Sequence, residues 1–570
     1  MAVTNIDLDK CTGCGTCVES CPMDVFRLDT VVEYRKEYSP CSLACPLGLR
    51  QREYHDFLAK GMLDEAVEVL RLCHPMPAVT GRICPHPCEP ECSRVQIDAA
   101  VNINALERYL GDYLLHSDPP APCLPEGDRV AVVGSGPAGL AAAYFLTLDG
   151  YRVTVFEKDE DPGGLLRRAV PRFRLPEENV EAQIAFYRKM GIVFRTGVRV
   201  GVDISIADLR GDGFAALVVA TGAARPVGLD VPGGDAEGII SAMEFLSAAR
   251  VASRDTSGGE TTSSAADVGD NGQVSGAVAV VGGGSVALDA ARSAVRLGAD
   301  RVDVVCLERL EPGLKDSMLA LTTEIDEAIA EGIVIHASRG VDSFVVDKGK
   351  VRGVRCVECL NVRDDDGRFN PVYGDCVLPE EIEAQTVIIA VGQTPDPTLV
   401  PAGITTDRQG RISVDETTMW AADGLFAAGD CVSGASTVVE ALAMGKRAAE
   451  MAGRFLRGED LPAGAEEAPA LAAEPPKDKV EVTERVEYRL RPAAEREQDF
   501  GEVVMGFTAL DAGREAERCL TCGSRSKIVY VDDCQVCRLC QHYCPTEAIE
   551  VTEGILLGSL HGWDVVELGR

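Results

Sequence analysis

Basic residues are scarce in this chain of 570 residues. Lysine and arginine together number 56 against 90 aspartates and glutamates, which gives a formal net charge of −34. A nucleic-acid-binding protein needs a basic face to offset the repulsion of phosphates, so the composition speaks against that class. An acidic protein of this kind can instead be steered toward a basic patch on a partner.

Long apolar runs are absent as well. No stretch of roughly 18 apolar residues occurs, so no membrane-spanning helix and no membrane insertion are expected. Asp7 and Asp9 stand where a secretory signal peptide would need its apolar segment, which predicts a cytoplasmic protein. In a reducing compartment the 22 cysteines favour metal binding over disulfide bonds.

The cysteines are concentrated toward the two ends of the chain. Eleven lie between Cys11 and Cys123, six lie between Cys519 and Cys544, and the long middle holds only five. The middle alternates short strands rich in valine, alanine and isoleucine with alanine-rich helical stretches. This alternation predicts an α/β region with parallel sheets and crossover helices.

Two cysteine runs have the spacing of bacterial ferredoxins. Both follow the pattern C-x2-C-x2-C-x3-C-P, and their members are Cys11, Cys14, Cys17 and Cys21, then Cys534, Cys537, Cys540 and Cys544. This spacing is typical of [4Fe-4S] ligation, whereas a zinc site needs two separated cysteine pairs around one ion. Either each run forms a one-cluster module, or both meet in one two-cluster domain. In the second case the last cysteine of each run ligates the other run's cluster.

Two glycine-rich turns predict dinucleotide sites. The first follows an apolar strand and opens an alanine-rich helix, and it contains Gly134, Gly136, Pro137, Ala138 and Gly139. Such a turn brings backbone and a helix N-terminus to a pyrophosphate. Glu157 and Lys158 end the next strand, where a carboxylate can bind a ribose hydroxyl. The second turn contains Gly282, Gly284, Ser285, Val286 and Ala287.

Three further cysteine motifs lie near the chain ends. They are CSLACPLGLR with Cys41 and Cys45, TGRICPHPCEPEC with Cys84, Cys88 and Cys92, and EAERCLTCG with Cys519 and Cys522. Together they resemble the cluster domain of the glutamate synthase small subunit and of dihydropyrimidine dehydrogenase. In that family the segment like EAERCLTCG comes shortly before the segment like CSLACPL, whereas here it follows about 480 residues later. The domain is therefore expected to be circularly permuted, which brings the chain ends together and favours one split ferredoxin.

The resemblance implies two inner clusters. One would be held by Cys41, Cys92, Cys519 and Cys522, and the other by Cys45, Cys84, Cys88 and a fourth ligand. In the family the fourth ligand is not always cysteine, and the matching position here is Glu107, whose alternative interpretation is a solvated helix glutamate. Cys73 is the competing ligand, and its alternative interpretation is a buried small apolar residue.

The order of the two turns resembles the two-dinucleotide flavoprotein family, with FAD at the first turn and a nicotinamide at the second. The resemblance adds cofactor-binding positions at Gly164, Leu165, Arg168, Ala220, Thr221, Gly222, Gly392, Gly429, Asp430 and Thr437. NADP-dependent members commonly have two arginines where this chain has Leu307 and Glu308. A carboxylate accepts from a free 2′-hydroxyl and would repel a 2′-phosphate. NADH is therefore expected, with NADPH as the alternative because Arg309 follows directly.

The fold class that these features predict is multidomain α/β. It has two Rossmann-like domains, a helical iron–sulfur domain and a split two-cluster ferredoxin-like α+β module. The predicted segments are ferredoxin halves at 1–30 and 527–570, the iron–sulfur domain at 31–125 with a return segment at 501–526, FAD-binding parts at 126–251 and 391–457, the NAD-binding domain at 276–390, and linkers at 252–275 and 458–500.

The expected function is electron transfer by an NADH-linked flavoenzyme with FAD and four [4Fe-4S] clusters. A nicotinamide exchanges a hydride with FAD, and the clusters pass single electrons to or from other redox subunits of a heteromeric complex or ferredoxin. No catalytic residue is predicted, because hydride transfer needs no protein acid or base. Three alternatives stay open: a glutamate synthase small subunit-like donor to a glutaminase-bearing partner, an electron-bifurcating flavoprotein, and a non-catalytic iron–sulfur scaffold.

Overall fold

The structure is a computed structural model of the chain. It describes residues 2–7, 10–11, 16–23, 25–29, 37–117, 119, 127–255, 274–464, 470–471, 480–523, 525–528, 537–559 and 562–567. Two predicted cluster ligands, Cys14 and Cys534, lie outside the described residues. Among the helices that are described, none is long and apolar enough to cross a membrane.

The first glycine-rich turn follows an inner strand of a six-stranded sheet. In sheet order the strands are Trp420–Ala422, Leu425–Ala427, Phe214–Val219, Arg129–Val133, Arg152–Phe156 and Val193–Arg195. The strand Arg129–Val133 runs parallel to both neighbours, and its last four residues are buried, as expected for a parallel strand covered on both faces. The helices of this domain are Pro137–Leu148, Leu165–Arg168, Glu177–Lys189, Ile206–Gly211, Asp430–Ser433 and Val438–Leu456.

The second turn follows an inner strand of a five-stranded parallel sheet. In sheet order the strands are Val334–His336, Arg301–Val305, Ala277–Val281, Thr386–Ile389 and Ile239–Ser241. The helices are Ala242–Asp255, Ser285–Arg296 and Thr322–Ala330. An antiparallel sheet precedes the strand Thr386–Ile389 in sequence and consists of Arg339–Asp347, Lys350–Arg363 and Phe369–Glu383. The two Rossmann-like domains that the sequence predicted are confirmed.

Helices dominate the region between the first ferredoxin run and the first glycine-rich turn. They are Pro40–Ala44, Gln51–Ala59, Leu63–Cys73, Pro77–Ile83 and Ile103–His116, with a 3-10 turn at Ser93–Gln96. The return helix Ala509–Glu517 packs against this group. Its Glu515 is buried and accepts hydrogen bonds from the backbone N–H groups of Asn102 and Val486, both at 2.7 Å. The return segment thus contributes to the iron–sulfur domain across 413 residues of sequence.

The two chain ends form one ferredoxin-like module. Its antiparallel pairs are Ala2–Ile6 with Ile549–Ser559, Ile549–Ser559 with Gly562–Glu567, and Phe26–Asp29 with Arg525–Ile528. The short helices Thr16–Ser20 and Leu539–Tyr543 contact each other. Their shared core contains Cys17, Val25, Phe26, Cys540, Ile549 and Val551. Of the two arrangements that the sequence allowed, the structure has the joined one.

The segment 480–500, the second half of the predicted second linker, lies against the iron–sulfur domain. The hydroxyl of Tyr488 donates to Asn104 Oδ1 at 2.9 Å, and Arg485 forms an ion pair with Glu89 at 2.8 Å. This part of the linker therefore has specific packing. The remaining short elements are Glu37–Tyr38, Arg225–Pro226, Gln393–Thr394, Pro397–Leu399, Ala470–Leu471, Arg489–Leu490, Ala493–Arg496 and Val504–Met505.

Candidate functional site

The first glycine-rich turn requires glycine at two positions for steric reasons. Gly134 has a φ of +101°, and a Cβ there would lie 2.3 Å from the carbonyl oxygen of Ala220. A Cβ on Gly139 would lie 2.0 Å from the carbonyl oxygen of Gly134. A Cβ on Gly136 would meet no atom within 4 Å. The first two glycines let strand and helix approach closely, and Gly136 borders open space.

That open space is a cleft of about 1160 Å³, its open mouth included. We call it the first cleft. The predicted residues that line it are Gly134, Gly136, Pro137, Ala138, Glu157, Lys158, Gly164, Leu165, Arg168, Ala220, Thr221, Gly222, Asp430 and Thr437. Gly139 and Gly429 do not line the cleft themselves but pack against residues that do. A Cβ on Gly429 would lie 2.6 Å from Ala138 Cβ. The fold therefore brings together positions that are spread over about 300 residues of sequence.

The first cleft has features that suit a pyrophosphate. Two long helices, Pro137–Leu148 and Val438–Leu456, begin at its wall, with Gly136 and Thr437 as their N-caps. Helix N-termini present free N–H groups and partial positive charge. Arg168 and Lys158 add cationic side chains, and both pair with Asp159, at 3.0 and 2.8 Å. The lining thus fits the phosphate part of FAD.

Glu157 is held rigidly at the cleft. Its Oε2 accepts from the backbone N–H of Ser135 at 2.9 Å and from the Ser135 hydroxyl at 2.5 Å, and its Oε1 accepts from the N–H of Asp159 at 3.0 Å. The Ser135 hydroxyl also accepts from the N–H of Gly163 at 2.9 Å. Each carboxylate oxygen has two acceptor positions, so Glu157 retains capacity for a ribose hydroxyl. Sequence reasoning missed Ser135, because the turn pattern leaves that position open.

Asp430 is a second carboxyl group at the first cleft. Burial raises its pKa to about 6, although the hydroxyl of Ser436 donates to Oδ1 at 2.8 Å and lowers it. A carboxyl group that is partly protonated near neutral pH can donate a hydrogen bond and repels a phosphate less than a full carboxylate does. Asp430 can therefore stand close to an anionic cofactor.

The second turn has the same construction. Gly282 has a φ of +141°, and a Cβ there would lie 2.4 Å from the carbonyl oxygen of Ala390. Gly284 is the N-cap of the helix Ser285–Arg296, within which Ala287 is fully buried and Val286 is partly exposed. Gly392 has a φ of +117° in the loop after the strand Thr386–Ile389. The turn thus has the form of a pyrophosphate-binding loop.

Acidic side chains surround this second turn. A Cβ on Gly283 would lie 2.4 Å from Glu308 Oε2, so this carboxylate reaches the turn itself. Burial raises the pKa of Glu308. The hydroxyl of Ser285 donates to Glu324 Oε2 at 2.7 Å. Arg174 pairs with the same Glu324, and the charge of Arg363 lowers the pKa of Glu308. The turn therefore has carboxylate acceptors beside it, with arginines on their far side or nearby.

Four predicted cluster ligands line a cavity of about 350 Å³ in the iron–sulfur domain; we call them the first cysteine set, and they are Cys41, Cys92, Cys519 and Cys522. Burial, with smaller contributions from the nearby Cys92 and Cys522, raises the pKa of the Cys41 thiol to about 12, although a hydrogen bond with Ser39 lowers it. Burial also raises the pKa of Cys519, and Cys41 adds to that increase. Thiols whose pKa values are raised in this way lose their protons only when they bind a metal ion. An iron–sulfur core therefore fits this set of four donors.

Three further predicted cysteines, Cys45, Cys84 and Cys88, lie near Glu107. These four residues are called the second cysteine set. Burial raises the pKa of each thiol, and the charge of Glu107 raises it further. Glu107 is 6% exposed and accepts from the Thr80 hydroxyl at 2.5 Å. The competing candidate, Cys73, directs its thiol to the carbonyl oxygen of Val69 at 3.3 Å. Its hydrogen bond stays within its own helix.

Two aromatic residues on the helix Gln51–Ala59 were not anticipated. His55 lines the cavity of the first cysteine set, and burial lowers the pKa of its imidazole to about 3. Burial raises the pKa of Tyr54, and the charges of Glu107, Cys88, Cys73 and Cys45 add to that increase. Neither residue belongs to a cysteine motif, so the local sequence holds no signal for them.

The ferredoxin module holds the described members of its two cysteine runs. Cys17 and Cys540 are buried in its core, with Cys21 and Cys544 packed against it. Cys11 is buried as well, whereas Cys537 is exposed. Burial raises the pKa of Cys544, but hydrogen bonds from Thr546, Ala548 and Ile549 outweigh it, and the net pKa is lowered. Such hydrogen bonds favour the thiolate, the form that ligation of iron would need.

Three family models match this chain. The pyridine nucleotide-disulphide oxidoreductase model matches residues 128–445, which span both dinucleotide folds. The model for dihydropyrimidine dehydrogenase domain II, 4Fe-4S cluster, matches residues 34–118. A 4Fe-4S binding domain model matches residues 4–27.

Several characterised proteins are similar over most of the chain. The NADP(+)-dependent formate dehydrogenase subunit beta of Moorella thermoacetica is 34% identical, over 85% of this chain and 70% of that protein. The glutamate synthase (NADPH) small chain of Mycobacterium tuberculosis is 34% identical, over 74% and 87% respectively. The NADPH-Fe(3+) oxidoreductase subunit beta of Geobacter sulfurreducens is 31% identical, over 85% and 75%. The chain belongs to the pyridine nucleotide-disulphide oxidoreductase family, among its FAD- and iron–sulfur-dependent NAD(P)H oxidoreductases.

Proposed function

We propose that this oxidoreductase passes electrons between NADH and a partner redox subunit or ferredoxin, through FAD and four [4Fe-4S] clusters. The observation that carries the proposal is that cysteines from both chain ends meet at one cavity, the first cysteine set. The pairing of the ferredoxin halves adds a second cluster-binding module to the same chain. Successive one-electron sites are what a chain needs to carry electrons from a flavin to a partner.

FAD is assigned to the first cleft. Bound there, it would convert a two-electron hydride into single electrons. The helix N-termini at Gly136 and Thr437, together with Arg168, hold the pyrophosphate, and Glu157 accepts from the ribose. Asp430 stands near the phosphate part with its charge reduced by burial. These residues bind and orient the cofactor, and none of them is assigned a proton-transfer step.

The four clusters are assigned to sixteen ligands. The first and second cysteine sets hold the inner clusters, with Glu107 as the one carboxylate ligand. Glu107 is favoured over Cys73 because its charge acts on all three cysteines of its set. In the ferredoxin module, one cluster takes Cys11, Cys14, Cys17 and Cys544, and the other takes Cys534, Cys537, Cys540 and Cys21.

NADH is assigned to the second turn because of Glu308. Its carboxylate lies at Gly283, where it can accept from a 2′-hydroxyl and would repel a 2′-phosphate. The names of the similar proteins contain NADP(+) or NADPH. A preference for NADH is therefore the main property in which this chain is proposed to differ from them.

A partner subunit is part of the proposal. The similar proteins are named as subunits or as a small chain, and a net charge of −34 suits a partner with a basic docking patch. Donation to a glutaminase-bearing partner is the second candidate, and the likeness to the glutamate synthase small chain favours it. The ferredoxin module favours the first candidate, because it extends the electron path beyond the inner clusters.

An anaerobic titration of the reconstituted protein tests the proposal. NADH and NADPH are added in separate experiments, flavin and cluster absorbance are followed, and iron and FAD are counted on the same sample. We expect about sixteen irons per FAD, four per cluster, and bleaching by NADH at concentrations where NADPH has little effect. About eight irons per FAD would remove two clusters. Reduction by NADPH alone would contradict the role of Glu308 and favour the second candidate.

A further inference from the structure

Two consecutive side chains have buried polar groups with no hydrogen-bond partner among the described residues. They are the hydroxyl of Tyr54 and both ring nitrogens of His55. Tyr54 is 0% exposed and His55 is 1% exposed. A buried donor without a partner is destabilising, so native proteins seldom keep one unless a bound group or a functional role accounts for it.

The two side chains serve different cysteine sets. His55 lines the cavity of the first set. The charges of Glu107, Cys88 and Cys45, which belong to the second set, act on the hydroxyl of Tyr54, as does that of Cys73. Consecutive residues on a helix point about 100° apart, so one helix can address two sites at once. The two rings contact each other edge to face, with 4.7 Å between their centroids.

Other polar groups around the first set already have partners within the protein. Arg52 donates to the carbonyl oxygen of Cys522 at 3.2 Å, and Arg94 pairs with Asp98 at 2.8 Å. The Ser39 hydroxyl lies 2.8 Å from the Ser42 hydroxyl and 3.2 Å from Cys41 Sγ. The imidazole of His55 is thus a donor at this cavity that no described residue engages.

We propose that Tyr54 and His55 each donate a hydrogen bond to a sulfur atom of a different inner cluster and thereby raise the reduction potential of that cluster. The proposal rests on the ligand sets of the proposed function. A cluster gains one electron on reduction, and its sulfur atoms carry part of the added negative charge. A donor aimed at a sulfur therefore stabilises the reduced form more than the oxidised form.

Crossed substitutions in the reconstituted holoprotein test this proposal. Tyr54→Phe removes one hydroxyl group and keeps the ring, His55→Leu removes the donor, and His55→Gln keeps an N–H group. Potentials are measured by redox titration followed by EPR. The signal of the first set is the one that Cys519→Ala abolishes, and the signal of the second set is the one that Cys45→Ala abolishes.

We expect each substitution to affect one cluster. Tyr54→Phe should disfavour reduction of the second-set cluster by roughly tenfold, about 59 mV for one electron. His55→Leu should do the same for the first-set cluster, and His55→Gln should restore most of that loss. One exchangeable-proton coupling of the first-set cluster should also disappear from the ENDOR spectrum of His55→Leu, while couplings from the hydroxyls of Ser39 and Ser93 remain. A merely structural residue would not cause this change.

Each contrary result has a distinct meaning. An unchanged potential in Tyr54→Phe or His55→Leu, with the iron content intact, would overturn the proposal, as would a shift of both clusters by one substitution. Loss of iron from either variant would also overturn it, because the residue would then support ligation or folding. Retention of all iron by Cys519→Ala would instead contradict the ligand sets of the proposed function.

Discussion

The substitution Gly136→Ala should weaken FAD binding without lowering the stability of the fold. Gly136 has a φ of −70°, which alanine adopts freely, and an added Cβ would meet no atom within 4 Å. The apoprotein should therefore keep its stability, or gain about 0.4–1 kcal/mol from a less flexible unfolded chain. The methyl group would project into the first cleft beside the proposed pyrophosphate. Overpacking of about 1–3 kcal/mol corresponds to roughly 5- to 150-fold weaker FAD binding.

Gly134→Ala, two positions earlier in the same turn, is the matched control. Its φ of +101° is unfavourable for alanine, and its Cβ would lie 2.3 Å from the carbonyl oxygen of Ala220. Backbone strain of about 1–3 kcal/mol and overpacking of similar size should together lower the free energy of unfolding of the apoprotein by about 2–6 kcal/mol. This variant should lose stability and FAD together.

The assay combines two measurements on each apoprotein. Denaturant unfolding gives the free energy of unfolding, and quenching of FAD fluorescence on addition of apoprotein gives the dissociation constant. The reasoning would be refuted if Gly136→Ala bound FAD as tightly as the unmodified chain. It would also be refuted if Gly136→Ala lost as much stability as Gly134→Ala, because the open space at Gly136 would then not be a ligand cleft.

Three further substitutions test the other sites. Glu308→Gln should raise kcat/KM for NADPH relative to NADH by about tenfold, because the repulsion of a 2′-phosphate is removed; an unchanged ratio would contradict the assignment of Glu308. Burial raises the pKa of Asp430 to about 6, above its unfolded value of about 3.9. Ionisation of Asp430 therefore lowers the stability of the folded apoprotein as the pH rises from about 4 to 6. The loss is at most about 3 kcal/mol. Asp430→Asn should therefore resist denaturant better than the unmodified apoprotein near pH 7.5 and equally near pH 3.5, and equal stability at both values would speak against a buried carboxyl group. Cys519→Ala should lower the iron content by about four atoms per FAD, whereas a full iron content would exclude it as a ligand.

Local features of this protein follow from the sequence alone. The two glycine-rich turns are recognisable because a positive φ and a close backbone approach leave glycine as the residue that fits, as Gly134 and Gly282 show. The ferredoxin runs are recognisable because three of the four ligands to one such cluster come from closely spaced positions of the chain. Alternating strands and helices then predict the two parallel sheets, since each crossover helix returns the chain to the end of the sheet where the previous strand began, and the next strand runs parallel to it.

Tertiary structure decided how these local features combine. The resemblance of the cysteine motifs predicted that both chain ends meet. The strand pairs and buried contacts that hold them together join residues hundreds of positions apart, such as Glu515 and Asn102, and spacing within a motif contains no information about those contacts. The roles of Ser135, Tyr54 and His55 likewise depend on what packs around them. A hydrogen-bond partner or a buried unpaired donor is a property of the three-dimensional neighbourhood, because burial makes an unmet polar group costly while the local sequence is unaffected.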